Sequence, residues 1–437
     1  MNFERLFALA KQKGIEDVQV YLVNRSELSI EVFDGELDKS EIADTTTLSI
    51  KGVYHKRMGT FSTEVLDDSL IESIVDNLIA NASIIDSLDE AVIYAGDLEY
   101  HVLDDLFNEE LTKMDVANKI AKVKQLDQLF HQANPLVSIV ETMYSESTRT
   151  VLLQNTKGLK LENKVNSAMI GGQIIVKNES DQRTAFDLAI SNDFADFDLE
   201  KIAKEAVESG VRKLGAKPIP SKNYEIILDK DALATLLSAF QNVFSAEAVQ
   251  KGLSLLKGKL GSTIGSSLFT LVDDPFMKKS SRSRSFDDEG VATKYKELIK
   301  AGVLETYLHN LTTAKKDGVV STGNGFGTSV SAINLKVLPG EHSYQDLLSS
   351  MKEGIVITDL QGAHAGANPV SGDFSLQATG FLVENGVEIK PVALITIAGN
   401  FIKLLQDITA VGNDIKTGYY GITCPSVKIL SLPVSGI

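Results

Sequence analysis

Cysteine is almost absent from this chain of 437 residues: Cys424 is the only one. A lone thiol excludes an internal disulfide and a cysteine-rich zinc site, and it suits a reducing compartment. Histidine is scarce as well, with six in all: His55, His101, His131, His309, His342 and His364. None is directly followed by glutamate, so the zinc-protease helix signature H-E-x-x-H is missing. No apolar run reaches the roughly 18 residues that a membrane span needs. The N-terminus, Met1-Asn2-Phe3-Glu4-Arg5-Leu6-Phe7, is too charged for a signal peptide. A cytoplasmic protein without membrane contact is expected. There is no G-x-S-x-G elbow for a serine nucleophile. Gly323-Asn324-Gly325-Phe326-Gly327 lacks the lysine and hydroxyl of a phosphate-cradling loop.

What is present is the composition of a globular protein, 43% hydrophobic and 23% charged. The length allows a sizeable core and two or more domains. With 43 Lys and Arg against 59 Asp and Glu, the net charge is −16. Such a balance repels phosphate backbones and argues against nucleic acid as a partner.

Apolar spacing predicts helices over residues 3–13, 66–83, 112–130, 198–214 and 230–257. Alternation predicts strands over 17–23, 28–33, 45–51, 139–144, 148–154, 168–176, 183–189 and 224–228. Asp34-Gly35 marks a hairpin turn. Mixed helices and antiparallel strands make the first half an α+β domain. The second half alternates short strands with glycine turns, a mainly antiparallel β domain with a few helices. Ala216-Lys217-Pro218-Ile219-Pro220 reads as the linker, so domains are expected over 1–216 and 221–437.

The stretch from Leu268 to Gly327 is the most informative. It contains Val272-Asp273-Asp274, a basic Ser-rich segment with Lys278, Lys279, Arg282 and Arg284, and then Asp287-Asp288-Glu289-Gly290. Ile299 to Leu308 follows as I-x-x-G-V-L-x-x-Y-L, then Thr313-Ala314-Lys315 and Ser321-Thr322-Gly323-Asn324. Farther on come Val383-Glu384-Asn385-Gly386, Thr396-Ile397-Ala398-Gly399-Asn400 and Val411-Gly412-Asn413-Asp414. This ordered series resembles the C-terminal half of the TldD/TldE (PmbA) family, strongly over residues 220–437 and loosely before them. The resemblance implies a two-subunit peptidase. In the TldD branch it implies H-E-x-x-x-H on the helix after the strand near residue 225, with both histidines on zinc and the glutamate activating water. Here Ser238, Ala239 and Val243 occupy those places, and none can do that work. The chain therefore resembles the TldE/PmbA branch.

The resemblance implies a heterodimer in which a TldD-like subunit brings the zinc and this chain, with no cofactor of its own, shapes a cleft for peptides or unfolded protein. A homodimeric peptide-binding or regulatory protein of the same fold is the alternative. No catalytic and no metal-binding residue is expected here. Cleft candidates are Asn324, Gly325, His364, Gly366, Asn368 and Ser371, because small residues and glycine-rich loops let a backbone approach closely. Asp273-Asp274 and Asp287-Asp288-Glu289 are read first as turns and caps, and as a cation site second. His309 is read as an ordinary histidine. Cys424, ten residues after Asp414, matches the place of a further metal-binding cysteine that the resemblance implies for TldD. Pro425 follows it at once, without the glycine-rich insertion, and a packed thiol is the expectation. The basic segment from Lys278 to Arg284 is read as a solvated loop.

Overall fold

The computed structural model describes residues 1–85 and 91–437. The first sheet has six strands in the spatial order Arg57–Thr63, Glu36–Tyr54, Asp17–Phe33, Val137–Asn155, Lys160–Lys177 and Gln182–Ser191. Every pairing in it is antiparallel. Asp34 and Gly35 turn the first hairpin with φ of 44° and 86°, the positive pair that an Asp-Gly turn accepts at low cost. The strands run longer than their apolar alternation. Asp17–Phe33 continues straight through Asn24-Arg25-Ser26-Glu27, where the sequence shows a break. The polar run keeps its ladder because it pairs on both sides, with Glu36–Tyr54 and with Val137–Asn155.

One face of this sheet is apolar, and helices cover it. Val18, Val20, Leu48 and Ile50 pack under the helices Phe3–Gln12 and Ile71–Ile84. Leu28, Ile30, Val140, Ile170 and Ile174 pack with Leu126 and Phe130 of Val116–Ala133 and Ile202 and Ala206 of Leu199–Arg212. The opposite face carries Gln19, Tyr21 and Val23 and turns towards the C-terminal part.

Residues 222–435 form two further six-stranded sheets and a two-stranded hairpin. The larger sheet runs Val387–Asn400, Asp373–Glu384, Glu353–Gln361, Lys222–Leu228, Val427–Ser435, Ile408–Val411. Thr396 and Ile397 also pair with Ser435 and Val434, which curls the sheet until its first and fifth strands meet. Only Lys222–Leu228 with Glu353–Gln361 is parallel there. The helix Lys230–Phe240 packs on it with Leu233, Leu236, Leu237 and Phe240 inside the main core. The fold is thus α+β with mainly antiparallel sheets.

Two long helices of the sequence reading are broken. The segment 230–257 becomes the helix Lys230–Phe240, a tight turn at Gln241–Phe244 and the short helix Ala246–Gln250. Leu308 explains the break: its N–H donates to Phe244 O at 2.8 Å, and its carbonyl accepts from Ala246 N at 2.9 Å. A neighbouring segment thus takes the backbone groups that helix continuation needs. Similarly, extended Met114 and Asp115 split 112–130 into Glu109–Lys113 and Val116–Ala133. Strand Val303–Leu304 is shorter than the apolar run from Val303 to Leu308.

Gly59 shows how tightly the helix Ile71–Ile84 lies on its sheet. A Cβ there would stand 1.9 Å from the backbone carbonyl oxygen of Leu78. Backbone cannot rotate away, so Gly59→Ala is expected to lower stability by about 3 kcal/mol, the upper end of overpacking costs. Urea unfolding measures this, and an unchanged midpoint contradicts the close packing.

Candidate functional site

Two polar regions gather the residues that the sequence singles out. The first is buried and built around Asp273 and Asp287. Asp273, wholly buried at the end of Leu271–Asp273, accepts from Ile333 N and Asn334 N on Oδ1 at 2.8 and 2.9 Å. Its Oδ2 accepts from Asn324 Nδ2 at 2.8 Å and pairs with Lys296 Nζ at 3.2 Å. Lys296 also donates to the carbonyls of Lys294 and Thr322, and burial pulls its pKa below the usual lysine range. Asn324 is fixed at both ends of its amide, donating to Ser331 O and accepting from Thr322 Oγ1.

The loop from Asp287 to Gly290 lies beside this pair. Asp287 Oδ1 accepts from Glu289 N and Val291 N, and Oδ2 from Gly325 N at 2.8 Å. Burial, and then the neighbouring Glu289 charge, push its pKa up to about 7 against these three donors. Glu289, raised by burial, accepts from Leu311 N. A Cβ at Gly325 would stand 2.7 Å from Glu289 Oε2, so a larger residue there would push that carboxylate aside. Asp288 reaches the other half of the chain: Tyr21 OH donates to its Oδ1 at 2.6 Å, and Gln19 Nε2 to its carbonyl at 3.2 Å. His309 is buried nearby with Nδ1 lacking a hydrogen-bond partner, and burial lowers its pKa, so it is held neutral at pH 7.

The second region is exposed. His364 and Gly366 lie on the one-turn helix Ala363–Gly366, and Asn368 and Ser371 lie on the loop that leads into Asp373–Glu384. Asn368 Oδ1 accepts from Val370 N at 2.9 Å, and Asn400 Nδ2 donates to Ser371 O and Asp373 Oδ1 at 3.0 Å. Gly366 allows a close approach, since a Cβ would meet Ser375 O at 2.3 Å. The short helix packs against Lys230–Phe240, with Ala363, Ala367 and Ala239 on the same core. The structure thus divides the six cleft candidates. His364, Gly366, Asn368 and Ser371 share one loop, while Asn324 and Gly325 belong to the buried network. Among the described residues no hydrogen bond joins the two groups.

On the helix Lys230–Phe240, Ser238 spends its hydroxyl on Thr235 O and Ala239 packs against the core, and in the turn that follows Val243 is fully buried. These side chains do not fit a zinc ion, which needs imidazole, thiolate or carboxylate donors. Cys424 is wholly buried and donates to Lys230 O at 3.1 Å. Burial, and then Asp231 and Asp229, raise its thiol far above the ordinary value, which disfavours the thiolate a metal requires. Among the described residues no group of three or more His, Cys, Asp or Glu is placed to hold a metal. Asp229 caps the helix by accepting from Asp231 N and Ala232 N, and burial raises its pKa to about 7.

Sequence reasoning missed the residues that join the halves, Gln19 and Tyr21 on Asp288, and with them Arg149, which donates to the Tyr21 hydroxyl. Tyr21 and Arg149 stand on the sheet face away from the helices, at positions the apolar alternation leaves unmarked. Arg284 is not solvated as expected. Its side chain is only 16% exposed, and it lies over the Phe326 ring.

Three family models match consecutive parts of the chain: PmbA/TldA metallopeptidase domain 1 over residues 18–82, the central domain over 109–214 and the C-terminal domain over 221–436. A solved structure from Thermotoga maritima, described as a proposed modulator of a DNA gyrase, is 36% identical with a TM-score of 0.93 and 99% coverage of both chains. Metalloprotease PmbA of Escherichia coli is 25% identical over 98% of this chain and 94% of its own. TldE from Thermococcus kodakarensis shares the fold, with a TM-score of 0.90 at 23% identity, covering 99% of this chain and 100% of its own.

Two outcomes follow from the buried network. Asp273→Ala strands the Lys296 ammonium away from water and is expected to cost about 3–5 kcal/mol. Adding Lys296→Met returns part of that loss, and chemical denaturation of the two variants measures both. Asp287 carries part of the pH dependence, alongside Asp229. From about pH 4 to 7 the folded chain keeps a proton that the unfolded chain has released, so its contribution is present below that window and lost as pH rises through 7. The stability difference between wild type and Asp287→Asn should therefore shift across this window. A pH-independent difference contradicts a raised carboxyl.

Proposed function

The chain belongs to the PmbA/TldD metallopeptidase family, and on that premise we propose that it is the TldE/PmbA-like subunit that holds no metal. A TldD-like partner supplies the zinc, and the two form a cytoplasmic heterodimer that degrades or processes unfolded peptides. One observation carries this: the helix Lys230–Phe240 follows the strand Lys222–Leu228, and Ser238, Ala239 and, in the turn after it, Val243 stand where H-E-x-x-x-H is expected. These positions are spent on packing, so the fold is retained without the chemistry. The chain divides into an N-terminal α+β domain over 1–216 and a C-terminal β-rich domain over 221–437.

In this proposal the cleft is shaped by the loop with His364, Gly366, Asn368 and Ser371, which lies against that helix, while the buried Asn324 and Gly325 do not line it but fix the network of Asp273 and Asp287. Extended peptides suit such a surface, because a strand can add main-chain hydrogen bonds to a free sheet edge with little regard to sequence. Gln182–Ser191 and Lys416–Thr417 end their sheets and offer such edges. No helix among the described residues is long and apolar enough to cross a membrane.

A tagged pull-down from the native cell, read by mass spectrometry, tests the partner. Recovery of one near-stoichiometric protein bearing H-E-x-x-x-H is the expected result. Recovery of this chain alone, where such a protein is expressed, contradicts the heterodimer and leaves the homodimeric peptide-binding protein.

A further inference from the structure

The face of the N-terminal sheet that turns towards the C-terminal part is polar along its middle. Arg25 pairs in register with Arg149, Glu27 with Ser147 and Ser29 with Ser145. Val165, Ser167 and Met169 continue the same face on the next strand. The segment Ser281 to Arg284 crosses this face, and a cavity of about 540 Å³ lies between them. Arg25, Arg149, Arg282 and Arg284 line it, with Glu27 and Glu146 as its only carboxylates.

Both of those carboxylates are already matched. Glu27 pairs with Arg25 at 3.2 Å. Glu146 pairs with the buried Lys119 and accepts the Tyr144 hydroxyl. Three guanidinium groups remain, and the carboxylate nearest to them is Asp288, 3.5 Å from Arg284 Nη1. Arg149 donates only to the Tyr21 hydroxyl, at 2.9 Å, and Arg282 to the carbonyls of Tyr420 and Ala332. Among the described residues neither Arg149 nor Arg282 has a carboxylate within 4.0 Å. Three cations facing one carboxylate are costly to hold together, and more so in partial burial. Burial, and then the Arg149 charge, already lower the pKa of Arg284. In a chain of net charge −16, this is a local reversal of sign with room for a ligand. Guanidinium forks match the paired oxygens of carboxylates and phosphates, and serine hydroxyls such as Ser145, Ser147 and Ser167 add donors around them.

We propose that this cavity binds an oxyanion, held by Arg149, Arg282 and Arg284. The anion is either the carboxylate of a peptide or a free inorganic anion. The site stands apart from the zinc-partner proposal, since it uses no residue of the helix Lys230–Phe240. Its failure and the failure of the heterodimer are therefore separate results.

Calorimetry on the purified full chain at low salt tests it with three probes: N-acetyl-tetra-alanine as the free acid, the same peptide as its C-terminal amide, and inorganic phosphate. At least one anion binds, and Arg149→Gln and Arg282→Gln each weaken it roughly tenfold or more. Salt at about 0.5 M weakens it too, as screening requires. Arginine-dependent binding of the free acid without the amide assigns the site to peptide carboxylates. Arginine-dependent binding of phosphate alone assigns it to a free anion. Arg282 is exposed on the cavity wall and makes only carbonyl contacts, so its variant keeps the fold, which circular dichroism checks. No binding of either anion, or binding that both variants leave unchanged, overturns the proposal.

Discussion

Asp287 and Asp288 are neighbours in the chain with opposite tasks. Asp287 turns inward and ties its own loop to the backbone of Gly325. Asp288 turns outward and receives the Tyr21 hydroxyl from the N-terminal sheet. The network behind them, Asp273 with Lys296 and Asn324, leaves no room for adjustment, because each buried polar group is met by a partner whose loss exposes a charge or a donor. Other contacts between the halves arrive at the same loop. Tyr100 OH donates to Gly290 O at 2.7 Å, and Asp97 Oδ2 accepts from Ala292 N at 2.7 Å. One short acidic turn therefore gathers several contacts between the halves, beside the pairs of Lys279 with Asp196 and Lys416 with Asp187.

This turn was legible in the sequence as a motif but not as a junction. Asp287-Asp288-Glu289-Gly290 stands out by its spacing from the strands around it, and a turn was the natural reading. What it touches lies about 270 residues away in the chain, where local patterns have no reach. The same limit explains the strands. Val18, Val20, Leu28 and Ile30 mark the covered face by alternation, and the α+β class followed from them. Arg25 and Ser147 stand on the polar face of the sheet, in register with Arg149 and Glu27, so they read as interruptions of strands that in fact run through. The helix over 230–257 failed for a related reason, since its breaking partner, Leu308, is remote in sequence.

The candidate site was legible in part. The missing zinc donors could be named from the sequence, because Ser238, Ala239 and Val243 follow at fixed spacing from a helix start that the sequence also marks, although Val243 falls in the turn after the helix. The environment of those residues could not be read in that way. Ala239 shares its core with Ala363 and Ala367, and this brings the glycine-rich loop of His364 against the helix. Asn324 looked like a cleft residue beside glycines, yet its amide is consumed inside the protein. A glycine-rich stretch signals close approach of backbone, and here much of what approaches is the protein itself.

In the proposed reading the work is divided between two chains, one for chemistry and one for shape. Zinc content by mass spectrometry, taken together with peptide cleavage, tests this most directly. The isolated chain and its complex with the H-E-x-x-x-H partner are compared after equal exposure to zinc. The account predicts no stoichiometric zinc and no cleavage for the isolated chain, with both found in the complex and both lost when a histidine of the partner's motif is replaced. Stoichiometric zinc and cleavage in the isolated chain would contradict it.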